Sequence, residues 1–374
     1  MLGKVKRLLT ISADSLGVTS LFLNSEWRRQ RLVILCYHGV SIEDEHRWEP
    51  AIYFPPEKLR QRFETLRRRR CNVLPLEDAI NRLYAGTLPP RSVVLTFDDG
   101  TYDNYAVAAP IIDEFGYPVT LYFTTYYSMY NRPVFDVMCS YLLWKAGPKR
   151  FALPGVLEGK TDLSQVSFRQ VAQRVKEYAF SARMSAPEKD RLLGRLAESL
   201  GLDYEAICAS RILQVMTTSE ARELADRGYD IQLHTHRHRV SRRRALFQRE
   251  IVQNRQYIQA VTNTAPRHFC YPCGVWLDDY PRWLGNAGVV SATTCDPGLA
   301  TRDTDPYLLP RFLDASSRPD AEFGAWISGF TSILPQRSGR IFRNDQFIEE
   351  EQPDLLTAIP AGLDEAALDP IAFK

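Results

Sequence analysis

Residues 92–97, SVVLTF, are almost wholly apolar and run directly into Asp98, Asp99 and Gly100. A strand with no polar face has to be buried on both sides, which requires a sheet covered by other layers. The same form recurs along the chain. RLVILCYH (31–38), PVTLYFTT (118–125), YDIQLHTH (229–236), HFCYP (268–272) and VVSATT (289–294) are further short apolar runs. Helical stretches lie between them. Pro56–Arg70 sets Leu59, Phe63 and Leu66 at helical spacing, and Tyr105–Phe115 is stopped by Gly116. Thr217 and Glu220 form a capping-box pair for a helix that Gly228 ends. A charged helix covers about 241–261, and a helix over 279–287 ends at Gly288. Repeated strand-then-helix units predict an α/β fold, a parallel sheet covered by helices and either open or closed into a barrel.

Two stretches break the rhythm. Residues from about 126 to 216 carry helical segments such as FRQVAQRVKEYAF and few strand signals, and read as a mostly helical insertion over the main domain. Residues 331–374, including EEEQPDLLTAIPAGLDEAALDP, read as an acidic, loosely attached tail. The expected organisation is an N-terminal helical extension over 1–30, a catalytic domain over 31–330 containing the insertion, and the tail.

The formal net charge is +2, so no global polyelectrolyte partner is implied. Arg67–Arg70 and Arg242–Arg244 fall on expected helices without interleaved aromatics, which favours solvated helix faces over nucleic-acid binding. The basic N-terminus, with Lys4, Lys6, Arg7 and several leucines, lacks the continuous apolar core and cleavage site of a signal peptide. An ordinary surface helix is its simplest reading, and a peripheral membrane contact is the alternative. The seven cysteines are scattered and odd in number, which suits reduced, buried thiols and a reducing compartment. The expected location is therefore cytoplasmic, or peripheral on the inner face of a membrane.

In a parallel α/β domain, function gathers at the carboxyl ends of the strands. Asp98 and Asp99 follow VVLTF, His234, His236 and His238 follow YDIQL, and His38 follows LVILCY. Tyr271, Pro272 and Cys273 follow HFC, and three of the chain's six histidines lie within five residues. Neighbouring carboxylates are unfavourable without a cation or a shared proton, and a divalent metal is the simplest compensation. Within one helical turn, His234 and His238 would point the same way. Two imidazoles and one aspartate make a frequent catalytic zinc arrangement with room for water. The metal would acidify that water and polarise a carbonyl, and the second aspartate would take the proton. An extended 234–238 would instead present His234, His236 and His238 together, and a solvated loop without metal is the third reading.

These residues resemble the polysaccharide deacetylase family, the NodB-homology or carbohydrate esterase family 4 enzymes. The family's TFDDG motif stands verbatim at Thr96–Gly100, and its H-(S/T)-x-x-H motif stands at His234–His238. The opening ILCYHGV and the segment FCYPCG resemble the YH-x-(I/V) and F-x-YP-x-G motifs of one branch. The resemblance covers about 30–125 and 217–315, leaving the insertion, the first 30 residues and the tail unexplained.

The resemblance implies a distorted (β/α) barrel, often seven-stranded, that removes N-acetyl groups from a polysaccharide or sugar precursor. Asp99, His234 and His238 would bind a divalent metal, most simply Zn2+, with Co2+, Ni2+ or Mn2+ as alternatives. Asp98 would be the general base, His236 a spectator, and the backbone N–H of Cys273 an oxyanion donor after the Tyr271-Pro272 step.

Two departures stand out. The family's base-orienting arginine is replaced by Cys270, and Arg311 is the candidate substitute by charge. The family's C-terminal Leu-x-His is missing, and His38 is the candidate general acid. The Cys270-x-x-Cys273 spacing is explained by the FCYPCG motif rather than by redox chemistry, and His46 and His268 have no expected role. Two alternatives to a glycan N-deacetylase are hydrolysis of a cyclic amide or ureide on the same fold, and an inactive glycan-binding module.

Overall fold

The computed structural model describes residues 10–129, 131–334 and Phe347. Lys4, Lys6 and Arg7, and most of the acidic tail, lie outside the described residues. The centre of the molecule is a curled parallel sheet. Its strands are β1 (Val33–Tyr37), β2 (Ser92–Phe97), β3 (Val119–Phe123), β4 (Asp230–Leu233), β5 (His268–Cys270), β6 (Ser291–Thr293) and β7 (Phe312–Leu313). They follow the order β6-β5-β4-β3-β2-β1-β7, and Asn72–Val73 pairs with β2 off this path. The two ends meet: Thr293 bridges Leu309, Leu309 N–H donates to Ala292 at 3.0 Å, and Thr294 N–H donates to Leu309 at 2.9 Å. Seven parallel strands thus curl into a distorted barrel, as the resemblance implies.

The run of apolar residues is explained by two different coverings. Leu35, Tyr37, Leu95, Phe97, Leu121, Phe123, Leu233 and Phe269 face outward into the main core. There they meet helices α1 (Pro56–Arg68), α3 (Ala109–Phe115), α8 (Thr218–Asp226) and α9 (Arg244–Thr262), with α2 (Leu76–Ala85) elsewhere. The alternate residues face inward, because side chains of a strand alternate between its faces. Ile34, Val94, Tyr122 and Cys270 form a separate cluster with Leu76, Ala79, Ile80 and Leu83 of α2, which plugs the barrel interior.

Register sets which strand ends lie level. Tyr37 pairs with Phe97 and Phe123 with Leu233. Asp98 N–H extends the ladder by donating to Tyr37 at 2.9 Å. His38, Asp98 and His234 therefore begin at the same rim of the barrel.

Helices α4 (Phe135–Lys145), α5 (Phe168–Ser181), α6 (Ala186–Ser199) and α7 (Tyr204–Ala209) form the interrupting segment, with a small hairpin of Arg150–Ala152 and Lys160–Asp162. They share a second core, including Met138, Leu142, Val171, Val175, Leu192 and Leu196. Its return limb pairs with the turn after β2: Met216 N–H donates to Gly100 at 3.0 Å, and Tyr102 N–H donates to Gln214 at 2.8 Å.

Some boundaries differ from the sequence reading. The 105–115 helix is a π-helical turn, Asn104–Ala108, followed by α3. The charged helix begins only at Arg244, so Arg242 and Arg243 precede it rather than lying on a helix face. His46 sits on a short helix, Glu45–Trp48.

Beyond β7, Asp314 is buried and pairs with the buried Arg62 of α1 at 2.6 Å. Arg62 also bonds Asp320 at 2.6 Å, which ties α1 to α11 (Asp320–Ser328); α10 is Tyr280–Asn286. Removing one partner of a buried pair leaves an uncompensated charge. Arg62→Ala is expected to lower unfolding stability by about 3–5 kcal/mol in denaturant titration. A loss below about 1 kcal/mol would mean that water reaches Asp314.

Candidate functional site

At the barrel rim, Asp98 is 2% exposed and Arg311 is fully buried. Arg311 Nη1 donates to Asp98 Oδ1 and Nη2 donates to Oδ2, each at 2.7 Å, a two-pronged charged contact. The remaining donors are also used. Nε bonds the Thr294 carbonyl at 2.9 Å, Nη1 bonds Thr96 Oγ1 at 3.1 Å, and Nη2 bonds Cys270 Sγ at 3.0 Å. Two thiols, Cys36 and Cys270, each stand 3.4 Å from Asp98 Oδ2. His38 Nε2 lies 3.9 Å from the same oxygen. Burial alone would push the Asp98 carboxyl up, but the Arg311 charge and its hydrogen bonds outweigh this and hold Asp98 below the usual carboxylate range.

Asp99 points the other way from Asp98. Its φ is +72°, and that of the following Gly100 is +70°. A Cβ on Gly100 would come within 2.3 Å of the Phe123 ring, so glycine is required for both conformation and space. The turn brings Asp99 Oδ1 to 3.2 Å from His234 Nε2 and 3.0 Å from His238 Nε2. The three donor atoms lie within 4.8 Å of one another.

His234 and His238 converge by a route the sequence reading did not expect. Residues 234–239 form no helical turn. Thr235 and His238 instead have φ of +62° and +56°, a left-handed conformation that a β-branched threonine rarely adopts. Packing and hydrogen bonds hold it. The His236 carbonyl accepts from Tyr126 N–H at 2.7 Å and Thr125 N–H at 3.2 Å. Thr235 Oγ1 accepts from Arg239 N–H at 3.1 Å. The His236 ring is buried, with Nδ1 2.8 Å from Thr125 Oγ1, and burial lowers its pKa to about 3. His236 is therefore a neutral packing residue, and it does not join His234 and His238.

The tautomer of His234 tests whether a cation fits. His234 Nδ1 is 2.9 Å from the Cys270 carbonyl, which can only accept, so Nδ1 carries the hydrogen. In the neutral ring, Nε2 then presents a lone pair to Asp99 Oδ1, an acceptor facing an acceptor. A cation among Nε2 of His234, Nε2 of His238 and Asp99 turns that repulsion into ligation, and the carbonyl bond is the kind of support that orients a ligand histidine. The residues fit a divalent metal.

The sequence reading missed the supporting residues. Asn254, fully buried on α9, accepts from His234 N–H at 2.9 Å and donates to the Phe123 carbonyl at 2.9 Å and to Thr125 Oγ1 at 3.0 Å. Its signal in the sequence is an asparagine on the apolar face of a charged helix, between Ile251 and Ile258. Cys36, near the end of β1, likewise meets Asp98 only in the folded chain.

In the Tyr271–Cys273 segment, expected to face the substrate, the first two side chains are buried. Tyr271 is fully buried, edge-on to Phe269 and stacked on Tyr280, with ring centroids 5.2 and 6.2 Å away. Pro272 is buried too. Side-chain alternation turns Tyr271 into the outer core, so only Cys273, exposed at φ +54°, reaches the surface of this turn. Cys36, Cys139, Cys208 and Cys270 are buried, Cys71 and Cys295 half-buried, and Cys273 exposed. His268 is buried, bonded to Ser291 at 2.8 Å, and lowered to about 4 by burial.

The model of the polysaccharide deacetylase family matches residues 189–292, which include His234 and His238 but not Thr96–Gly100. The fold is similar to that of the Streptococcus pyogenes deacetylase PplD in complex with acetate, with TM-score 0.53 and 16% identity over 82% of this chain and 99% of that one. A polysaccharide deacetylase from Bacillus cereus has TM-score 0.49 and 14% identity, over 79% of this chain and 69% of that one. IcaB from Ammonifex degensii has TM-score 0.48 and 16% identity, over 80% and 97%. No curated protein matches the chain.

Losing a residue that supports a metal ligand typically weakens metal binding 10–100-fold. Asn254→Ala is expected to weaken zinc affinity by about that factor in a chelator competition assay. An unchanged affinity would mean that the loop is fixed without Asn254.

Proposed function

We propose, from the match of residues 189–292 to the polysaccharide deacetylase family, that the protein hydrolyses the N-acetyl group of a sugar, with a divalent metal held by Asp99, His234 and His238. The observation that carries this is the convergence of His234 Nε2 and His238 Nε2 on Asp99 Oδ1, at 3.2 and 3.0 Å, beside a second aspartate separately neutralised by Arg311. When bound there, a divalent cation supplies Lewis-acid polarisation of the amide carbonyl and lowers the pKa of water.

The protein's own groups divide the remaining work. Asp98, kept ionised by Arg311, takes a proton from the attacking water. Arg311 acts as a positioning residue: with all its donors engaged, its fork fixes the carboxylate plane. His38, 3.9 Å from Asp98 Oδ2 and partly exposed, is placed to return a proton to the departing amine nitrogen. The backbone N–H of Cys273, at the tip of the turn after β5, is the candidate donor to the developing oxyanion.

Two further parts of the reading concern place and partners. No helix among the described residues is long and apolar enough to cross a membrane. Leu16 and Leu21 are 79% and 74% exposed near the basic N-terminus, which supports a peripheral membrane contact there.

The decisive experiment is a screen for released acetate over N-acetylated sugars and oligosaccharides, with a ureide such as allantoin as the competing substrate and Asp98→Asn as the blank. Loss of a general acid or base slows turnover by about 10²–10⁴-fold. His38→Ala should fall in that range and lose the basic limb of the pH–rate profile, the limb on which a general acid is deprotonated. Retention of both limbs and most of kcat would place the acid elsewhere. Arg311→Ala should lose kcat with a smaller change in KM, and normal activity would remove Arg311 from the mechanism. Metal analysis in parallel separates this enzyme from a glycan-binding module.

A further inference from the structure

The two histidines of the candidate metal centre are held unequally. His234 is fixed twice, its N–H by Asn254 and its Nδ1 by the Cys270 carbonyl, and its side chain is 2% exposed. The His238 side chain is 31% exposed, and its backbone stands at a φ of +56°. A non-glycine residue keeps that conformation only where its neighbours over-determine it. On the entry side, Thr235 Oγ1 accepts from Arg239 N–H at 3.1 Å. On the exit side, support has to come from residues 240–242, the chain that leaves the loop.

Val240 is buried and forms a parallel β-bridge with Phe347, a residue from the stretch whose composition reads as a loosely attached tail. Phe347 itself is 6% exposed and belongs to the main core. The guanidinium of Arg242 lies over its ring, 3.8 Å from the centroid. Phe347 thus meets the loop exit twice, through its backbone at Val240 and through its ring at Arg242. Apolar burial and a cation over an aromatic face both favour that seat. Between these two contacts, Ser241 is buried and its carbonyl accepts from Tyr280 Oη of α10 at 2.9 Å. The barrel closes without Phe347, through Thr293 and Leu309. Its contacts with Val240 and Arg242 fall instead on the residues that follow His238.

We propose that Phe347 is a positioning residue for the metal centre: by pinning Val240 and Arg242, it holds His238 Nε2 at its 3.0 Å contact with Asp99 Oδ1. This rests on the reading of Asp99, His234 and His238 as metal ligands. The effect is selective among the three. Without the Phe347 ring, His234 keeps Asn254 and the Cys270 carbonyl, and Asp99 keeps its turn before Gly100. The centre then has two well-placed ligands and a third whose backbone is free to relax from its strained φ.

The test uses the full-length protein and two readouts: zinc affinity by chelator competition, and the visible absorption of the Co2+-loaded form, whose bands report ligand number and geometry. Phe347→Ala should weaken zinc binding about tenfold, the lower end for loss of a residue that supports a metal ligand, and should shift the Co2+ bands. Phe347→Leu, which refills most of the volume, should keep most of the affinity. Arg62→Ala is the control for stability, since Arg62 pairs with Asp314 and Asp320, and it should leave both readouts unchanged. Parent affinity and parent bands in Phe347→Ala overturn the proposal, whatever that variant does to unfolding. An equal loss of zinc affinity in Arg62→Ala also overturns it, because the effect would then follow stability alone. Where Phe347→Ala does not fold, Arg242→Gln decides: it should move both readouts in the same direction, and parent values in it overturn the proposal. A zinc-binding parent with an indifferent Phe347→Ala removes this inference and leaves the metal reading standing. A parent that binds no divalent ion removes both.

Discussion

The Asp98–Arg311 pair is the contact on which the site depends. Both groups are removed from water, and such a pair is a weak source of stability, because the attraction only about offsets the desolvation of two charges. Apolar residues of similar volume would serve the core as well. The chain instead keeps a carboxylate in the barrel mouth and surrounds it with donors: the guanidinium fork and the thiols of Cys36 and Cys270. The result is a carboxylate held in one ionisation state and one orientation. Since its pKa is depressed in the folded protein, the pair stabilises the fold above the ordinary carboxylate range, near pH 4, and that contribution disappears as acidification reaches the lower folded value.

Strand alternation determines what surrounds that pair. Ile34, Cys36 and His38 share one parity on β1 and its extension, and Val94, Thr96 and Asp98 share it on β2. Cys270 on β5 is the inward neighbour of the outward Phe269 and Tyr271. The inward set becomes more polar towards the carboxyl end, from Ile34 and Val94 beside the α2 plug to His38 and Asp98 at the rim. One barrel therefore has an oily lower half and a reactive mouth, with no separate domain needed for the chemistry. Two small cysteines beside Asp98 leave the volume that the Arg311 side chain fills.

This alternation explains what was legible in the sequence. Strands such as VVLTF announce themselves by composition, and their ends locate Asp98, His38 and His234 without any coordinates. Arg311 was legible only as a charge in search of a partner, because nothing in LLPRF says that its β7 neighbour lies next to β1. The convergence of His234 and His238 was anticipated for the wrong reason. Residue spacing suggested a helical turn, whereas tertiary contacts from Thr125, Tyr126 and Asn254 impose a left-handed loop that local propensity disfavours. The burial of Tyr271 was not legible, because a motif marks a segment and does not say which face each residue takes. Asn254 and Cys36 were invisible in role, since a buried polar residue shows its partner only once the chain is folded.

Backbone strain falls on the residues that carry the candidate metal ligands. Asp99, Thr235 and His238 all have positive φ, a state that costs about 1–3 kcal/mol for a non-glycine residue. Strain of this kind persists only where neighbouring structure over-determines it. Here the supports come from three directions: the return limb of the insertion through Met216 and Gly100, β3 and the segment after it through Thr124–Tyr126, and α9 through Asn254. The return limb of the insertion is therefore a structural part of the turn that carries Asp99. A change in the insertion that shifts residues 214–216 should be felt at Asp99 before it is felt in the barrel. The insertion and the turn that carries Asp99 are mechanically linked through that one short pairing.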